Sequence, residues 1–146
     1  MPTNGFRGLF EHQLDDRGRL AIPARYRARF ENGGIVMPGP DGSIDLYPPD
    51  DYERVVAERI DEVQRGRAAR RLRRALYANT FEVQLDRQGR ILLPQRFRLS
   101  HALGGATVIA GNGDCLEIWS AERWQTEQEQ IDDYADLLEA EHGDQS

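Results

Sequence analysis

Short stretches in which apolar and polar residues alternate recur along the chain, and each ends at a turn-forming group. Residues Phe10–Leu14 alternate and are followed by Asp15–Gly18, where the glycine can adopt a positive φ. Residues Arg19–Ile22 alternate again and stop at Pro23. This pattern predicts a β-hairpin whose arginines lie at the loop and on the returning strand.

Further elements follow in the same half of the chain. Pro23–Phe30 predicts a short helix, because proline is tolerated at a first helical position. Ile35–Met37 and Ser43–Tyr47 predict a second hairpin around Pro40–Gly42. Pro48–Asp51 then introduces an amphipathic helix with acids in its first turn. Apolar residues recur along this helix at helical spacing: Tyr52, Val56, Ile60 and Val63.

The same order of elements is repeated 71 positions later. Phe81–Arg98 repeats Phe10–Arg27, with ten of 18 positions identical. Two copies are too few for a solenoid, and the four short strands of each half could not be stable alone. We therefore expect two ββαββα units that share strands in one sheet, with pseudo-two-fold symmetry. The fold class is α+β and mostly β.

A final acidic helix is predicted at the C-terminal end, with Ser120 as its N-cap. Its apolar face consists of Trp124, Ile131, Tyr134 and Leu138. Four aromatic residues occupy matching places in the two halves, and we interpret them as packing residues rather than base-stacking platforms: Tyr47, Tyr52, Trp119 and Trp124.

Charge is distributed unevenly in this chain of 146 residues, whose formal net charge is −6. All 19 basic residues are arginine; residues 65–74 hold six of them and no acid, whereas residues 117–146 hold ten acids. The repeated hairpins are locally basic, and a local patch decides which partner is attracted. We therefore expect a polyanion as partner despite the negative total.

Other compositional features restrict the class of protein. No apolar run approaches the length of a membrane helix, and no signal-peptide pattern is present, so a cytoplasmic location is expected. Cys115 is the single cysteine, which excludes an internal disulfide. His12, His101 and His142 lack metal-ligand spacing, and no phosphate-binding glycine loop is found. We expect neither a metal nor a cofactor.

The motifs resemble those of the MraZ family of bacterial proteins, which contain two tandem modules of the SpoVT-AbrB type. The resemblance covers nearly the whole chain and rests on Phe6–Gly8, Asp15–Arg27, Leu46–Pro48, Asp86–Pro94 and Glu117–Trp119. It implies swapped-hairpin modules interleaved as an intramolecular pseudo-dimer. It also implies a ring-shaped homo-oligomer that regulates transcription of division and cell wall genes by binding short direct repeats of promoter double-stranded DNA at the nucleoid.

The resemblance divides the chain into four segments. Module one covers residues 7–50 and module two covers residues 78–123. A helical connector, residues 51–77, joins them, and residues 124–146 form the acidic C-terminal helix and tail.

Arginines of the two motifs are the candidate DNA-binding residues. Arg19 and Arg90 are preceded, four positions earlier, by Asp15 and Asp86, which we interpret as structural partners that orient the guanidinium groups. The remaining candidates lie near the hairpins in sequence: Arg7, Arg17 and Arg87. Gln88 stands where the first copy has Arg17, so the second module either grips phosphate less strongly or is compensated by Arg87.

Several interpretations stay open on sequence alone. The helix arginines Arg25, Arg27, Arg96 and Arg98 either form a solvated face or contact phosphate. The Arg65–Arg74 run either contacts DNA or pairs with the acidic tail of another subunit. Alternatives to a DNA-binding regulator are an AbrB-fold scaffold or antitoxin-like partner of another protein, and a small hydrolase using His12 or His101. The sequence lacks catalytic motifs, and we expect no enzyme.

Overall fold

The structure, a computed structural model, describes residues 5–62 and 66–144. Within these residues the elements follow the predicted order in each half. The first half contains β1 Leu9–Gln13, β2 Arg19–Ala21, a 3₁₀ helix Ala24–Phe30, β3 Gly34–Pro38, β4 Ile44–Tyr47, α1 Pro49–Glu62 and α2 Arg67–Ala78. The second contains β5 Phe81–Val83, β6 Arg90–Leu92, α3 Gln95–Ser100, β7 Ala106–Gly111, β8 Leu116–Ser120 and α4 Ala121–Asp144.

The strands of the two halves are interleaved. A six-stranded antiparallel sheet has the order β1-β7-β8-β4-β3-β5, and β2 and β6 form a separate two-stranded ribbon. β1 of the first half therefore pairs with β7 of the second, while β5 of the second half pairs with β3 of the first. This arrangement confirms the α+β class and the interleaved pseudo-dimer of two modules.

The prediction that Phe10–Leu14 pairs with Arg19–Ile22 as a hairpin is wrong. Both strands form, but β1 pairs with β7 and β2 pairs with β6. The same holds for the predicted pairing of Phe81–Leu85 with Arg90–Leu93. Alternation identifies a strand and its buried face, whereas the partner depends on contacts with the other half of the chain. The two other hairpins, β3–β4 and β7–β8, are confirmed.

The predicted helices are present, with small differences at their ends. The segment after Pro23 is a 3₁₀ helix, and its counterpart after Pro94 is the α-helix α3. The helix predicted after Pro48 is α1, although Val63 of its apolar stripe lies outside the described residues. α2 begins after Gly66, whose φ is +85°. The four-segment division of the chain stays a prediction.

Both halves contribute to one core. Leu20 and Ile91 from the ribbon are fully buried and pack with residues of the large sheet such as Ile44 and Ile118. A second cluster lies under α1 and α2 and includes Tyr47, Tyr52 and Leu76. Burial of apolar surface is the main driving force of folding, and here it is completed only when the halves combine.

Aromatic residues and α4 border the core. Tyr47, Tyr52 and Trp119 are buried, as the packing interpretation requires, and Trp124 packs edge-to-face on Trp119 with 5.7 Å between ring centroids. Ser120 caps α4, because its hydroxyl accepts a hydrogen bond from the backbone N–H of Arg123. No helix in the described ranges is both long and apolar enough to cross a membrane.

Asp45 is a buried acid at the seam between the modules. It lies on β4 opposite Glu117 of β8, and its carboxylate accepts a 2.6 Å hydrogen bond from the Ser43 hydroxyl. Burial raises the pKa of Asp45 to about 6, and the charge of Glu117 acts in the same direction, while the Ser43 hydrogen bond opposes them. The folded protein therefore binds the carboxyl proton of Asp45 more tightly than the unfolded chain does.

The position of Asp45 predicts a pH dependence of stability. Because its folded-state pKa is raised, its contribution is most favourable below about pH 4 and is lost as the pH rises through about 6. Asp45→Asn should abolish this fall and, near pH 7, be more stable than the wild type by up to roughly 3 kcal/mol. Urea unfolding of both proteins across this pH range measures the effect.

A matched variant separates burial from a simple change of charge. Asp41→Asn removes an exposed carboxylate from the same hairpin and should change stability little. A constant difference in stability between the wild type and Asp45→Asn at all pH values would contradict the prediction.

Candidate nucleic-acid interface

The β2–β6 ribbon presents the candidate arginines on one face. Arg19 lies opposite Leu92, Leu20 opposite Ile91 and Ala21 opposite Arg90. Leu20 and Ile91 point into the core at 0% and 1% exposure. Because side chains alternate along strands, the other four residues share the outward face. Arg19 and Arg90 are diagonal neighbours across the ribbon, which places their Cα atoms about 7–8 Å apart.

Asp15 orders the loop that precedes Arg19. Its Oδ1 accepts hydrogen bonds from the backbone N–H groups of Arg17 (2.9 Å) and Arg19 (2.8 Å), and its Oδ2 accepts one from Arg19 Nε (2.8 Å). Gly18, with φ +85°, closes the turn by donating to the Asp15 carbonyl oxygen. The backbone hydrogen bond from Arg19 is the main cause that lowers the pKa of Asp15, so its carboxylate stays ionised at neutral pH.

Asp86 forms the same arrangement in the second half. Its Oδ1 accepts from the backbone N–H groups of Gln88 (2.8 Å) and Arg90 (3.0 Å), and its Oδ2 accepts from Arg90 Nε (2.9 Å). The backbone hydrogen bond from Arg90 is again the first cause of a lowered pKa. The structural role expected for both aspartates agrees with this geometry.

The two guanidinium groups come close to each other on the ribbon. Arg90 Nη1 lies 3.9 Å from Asp15 Oδ2, the same oxygen that binds Arg19. The side chains of Arg19 and Arg90 remain 32% and 26% exposed. Among the described residues the Arg19 side chain donates only through Nε, so its terminal N–H groups are free to bind a ligand. Because the carboxylates fix the side chains, little conformational entropy is lost on binding.

Arg27 and Arg98 pack against the loops that precede the two strands of the ribbon. Arg27 Nε donates to the Ile22 carbonyl oxygen (2.9 Å), and Arg98 Nε donates to the Leu93 carbonyl oxygen (3.1 Å). Each side chain also packs against a loop glycine of the other half: a Cβ on Gly89 would overlap Arg27, and a Cβ on Gly18 would overlap Arg98. This packing is a structural role beyond the two considered for these arginines, a solvated face and phosphate contact, and phosphate contact stays a prediction.

Backbone hydrogen bonds complete this junction of the two halves. The N–H of Ile22 donates to the Gly89 carbonyl oxygen, and the N–H of Leu93 donates to the Gly18 carbonyl oxygen, both at 2.9 Å. Sequence reasoning missed the pairing of arginine with glycine. The sequence carried a signal, because the repeat preserves both residue types: Gly18 and Arg27 in the first copy, and Gly89 and Arg98 in the second.

The other helix arginines contact aromatic and polar groups of the same chain. Arg96 lies over the rings of Phe81 and Phe97 and donates to Asn79 Oδ1 at 2.7 Å. Arg25 lies over the ring of Tyr26, with its guanidinium carbon 5.2 Å from the centroid. Both side chains are exposed, so these cation–π contacts add modest stability.

The loop-tip arginines and Arg7 occupy different parts of the surface. Arg17 and Arg87 are exposed at the two ends of the ribbon, one in each loop, and Gln88 is exposed beside Arg87. Arg7 is exposed and precedes β1. Its backbone N–H donates to the Tyr26 hydroxyl, which in turn donates to the Arg7 carbonyl oxygen, both at 2.8 Å, and its backbone packs on Gly111 of β7. DNA contact by Arg7 stays a prediction.

The connector arginines form a separate basic surface. Five arginines of α2 are exposed: Arg67, Arg70, Arg71, Arg73 and Arg74. None of the five forms an ion pair within the described parts of the chain. Arg65 lies outside the described residues. We call the five residues the α2 basic face.

Comparison with known proteins identifies relatives over almost the whole chain. Residues 6–75 and 76–142 each match the family described as "MraZ protein, putative antitoxin-like". A protein of Herpetosiphon aurantiacus named "Transcriptional regulator MraZ" is 41% identical over 94% of this chain and 95% of its own length. Proteins of the same name from Thermomicrobium roseum and Roseiflexus castenholzii are each 40% identical, over 93% and 91% of this chain and 91% and 93% of their own lengths.

The arginine–glycine packing under the loops predicts a specific loss of stability. Gly89→Ala would introduce a Cβ at φ +75° and against the Arg27 side chain, and should destabilise the fold by about 1–3 kcal/mol. Gly18→Ala should behave alike because of Arg98. Gly104→Ala is the matched control, since a Cβ there meets nothing within 4 Å. Urea unfolding that ranks all three variants equally would contradict the prediction.

Proposed function

The chain belongs to the MraZ family, and from this premise we propose that it is a sequence-specific DNA-binding transcriptional regulator. In the proposed mechanism the β2–β6 ribbon enters the major groove at short promoter repeats. The observation that carries the proposal is a pair of carboxylate-oriented arginines, Arg19 and Arg90, on one outward face of a two-stranded ribbon. The resemblance to regulators of division and cell wall genes suggests the promoters on which it acts.

The dimensions of the ribbon fit the major groove. The groove of B-DNA is about 12 Å wide and admits a two-stranded antiparallel ribbon. The Cα atoms of diagonal neighbours lie about 7–8 Å apart, roughly two base-pair steps of 3.4 Å, and the two guanidinium groups lie closer together because both approach Asp15 Oδ2. Each guanidinium can donate two hydrogen bonds to O6 and N7 of a guanine, the commonest specific arginine contact. One ribbon therefore reads a site of only a few base pairs.

Arginines at the ends of the ribbon suit the phosphate backbone. Arg17 and Arg87 are exposed beyond the two ends of the ribbon, where the strands of DNA would border the groove. Contacts to phosphate position a protein on DNA but carry no sequence information. α4 holds nine acids against the single Arg123, so the net charge of −6 for the whole chain does not describe the field at the ribbon.

We further propose that several copies assemble into a ring and bind repeated sites together. Residues 130–141 of α4 are exposed, and they include five acids together with the apolar Ile131 and Leu138. The α2 basic face is complementary to them. Contact between α4 of one copy and α2 of the next is heterologous, and such contacts form rings when the rotation closes. Assembly would convert weak binding by single ribbons into avidity.

Arg19 provides the direct test of DNA binding. Arg19→Ala should abolish binding to a selected promoter site, and Arg19→Lys should also lose most affinity because lysine keeps the charge but not the planar fork. Removal of the two hydrogen bonds to one guanine should weaken binding by about 1–3 kcal/mol per ribbon. Fluorescence anisotropy titration of labelled DNA, at several salt concentrations, measures the change in affinity.

Arg54→Ala is the matched control for this experiment. Arg54 also forms an ion pair with an aspartate, 2.7 Å to Asp114, but lies on α1 away from the ribbon. This variant should bind DNA as the wild type does. If Arg19→Ala binds DNA as tightly as the wild type, Arg19 does not contact the site as proposed. If Arg19→Ala and Arg54→Ala weaken binding equally, the loss reflects the charge of the protein and not a specific contact by Arg19.

Charge reversal tests the assembly. Arg71→Glu with Arg74→Glu on α2 should dissociate the oligomer, and so should Asp133→Arg with Asp136→Arg on α4. All four changes in one chain should restore it, because the complementary charges are exchanged. Sedimentation velocity gives the mass of each species. Full-size oligomers from either double variant would contradict the proposed contact.

A further inference from the structure

Leu92 is an exposed apolar side chain on the outward face of the ribbon. It is 58% exposed and lies directly opposite Arg19. Its side chain shares the face with Arg90, two residues earlier on the same strand. A single exposed leucine is ordinary on a protein surface. The position of this one is unusual, because it neighbours two arginines whose guanidinium groups are held by carboxylates.

We propose that Leu92 determines sequence specificity by contacting the C5-methyl group of a thymine in the major groove. This inference rests on the proposed function. The thymine methyl is the apolar group that the major groove offers to a side chain. Directly opposed residues have Cβ atoms about 4.5–5.5 Å apart, so Leu92 reaches a base pair within one or two steps of the guanine bound by Arg19.

The repeat shows that this contact is peculiar to the second half. The position equivalent to Leu92 in the first copy is Ala21, which lies opposite Arg90. Under the pseudo-two-fold axis Arg19 and Arg90 exchange places, so the arginines alone fit DNA in either orientation. Leu92 and Ala21 occupy the equivalent positions of the two copies, and their difference in size breaks this symmetry on the outward face. Leu92 therefore gives the ribbon a direction, which binding to direct repeats requires.

Removal of single methyl groups from DNA tests the contact. Sites are selected from a random DNA pool with wild-type protein, and each thymine of the selected site is replaced in turn by deoxyuridine. This change removes only the C5-methyl group. The wild type should lose about three- to tenfold in affinity at one thymine near the Arg19 guanine. Leu92→Ala should bind the parent site more weakly and lose nothing further at that uracil.

Two variants serve as comparisons. Leu99→Ala removes a leucine that is 75% exposed on α3 and should retain the full uracil penalty. Ala21→Leu makes the face symmetric and should reduce the preference for one orientation of the site, as measured by cleavage from a nuclease tethered to one end of the protein. Urea unfolding checks that Leu92→Ala folds, as its exposure leads us to expect.

The outcomes separate this inference from the proposed function. A wild type that binds DNA without any uracil penalty overturns the Leu92 inference alone. A penalty that persists in Leu92→Ala does the same. Failure of the wild type to select any DNA overturns the proposed function and this inference together. A penalty at one thymine that disappears in Leu92→Ala, but not in Leu99→Ala, supports it.

Discussion

Backbone pairing between the two halves is the constraint on which the rest of the structure depends. Among the described strands β2 pairs with β6 of the other half and with none of its own, while the N–H groups of Ile22 and Leu93 extend this pairing to the opposite loops. A buried backbone group without a partner costs about 1–3 kcal/mol, against a net gain of about 0.5–1.5 kcal/mol for a hydrogen bond that forms. Neither half can therefore satisfy its own strands, and the chain folds as one intertwined unit.

The same pairing creates the candidate DNA-binding face. Leu20 and Ile91 secure the ribbon to the core, so the alternate residues Arg19 and Arg90 must point outward. Asp15 and Asp86 then use backbone and side-chain hydrogen bonds to fix both the loops and the guanidinium groups. Stability and recognition are thus properties of one set of contacts, and a change that loosens a loop also disorders the arginine that it holds.

Arginine supplies all the basic side chains of this chain except histidine, and three of its roles differ in what the guanidinium does. On the ribbon it is held by a carboxylate and remains available to a ligand. Beneath the loops, Arg27 and Arg98 use the flat guanidinium to fill the space left by a glycine. On α2 it forms an exposed basic face opposite in charge to α4. The planar, always charged guanidinium suits the first two roles, which an ammonium group could not fill.

The sequence by itself determined the local features of this protein. Turn chemistry placed the Asp15 and Asp86 loops, alternation located the strands, and the 71-residue repeat indicated two equivalent halves. These signals are local because turns, caps and periodicity depend on residues only a few positions apart. Only the tertiary structure decided that β2 pairs with β6, that Arg27 supports Gly89, and that Leu92 shares a face with Arg19. Those contacts join residues about 60 to 75 positions apart, and no local pattern specifies which distant strand or side chain a residue will meet.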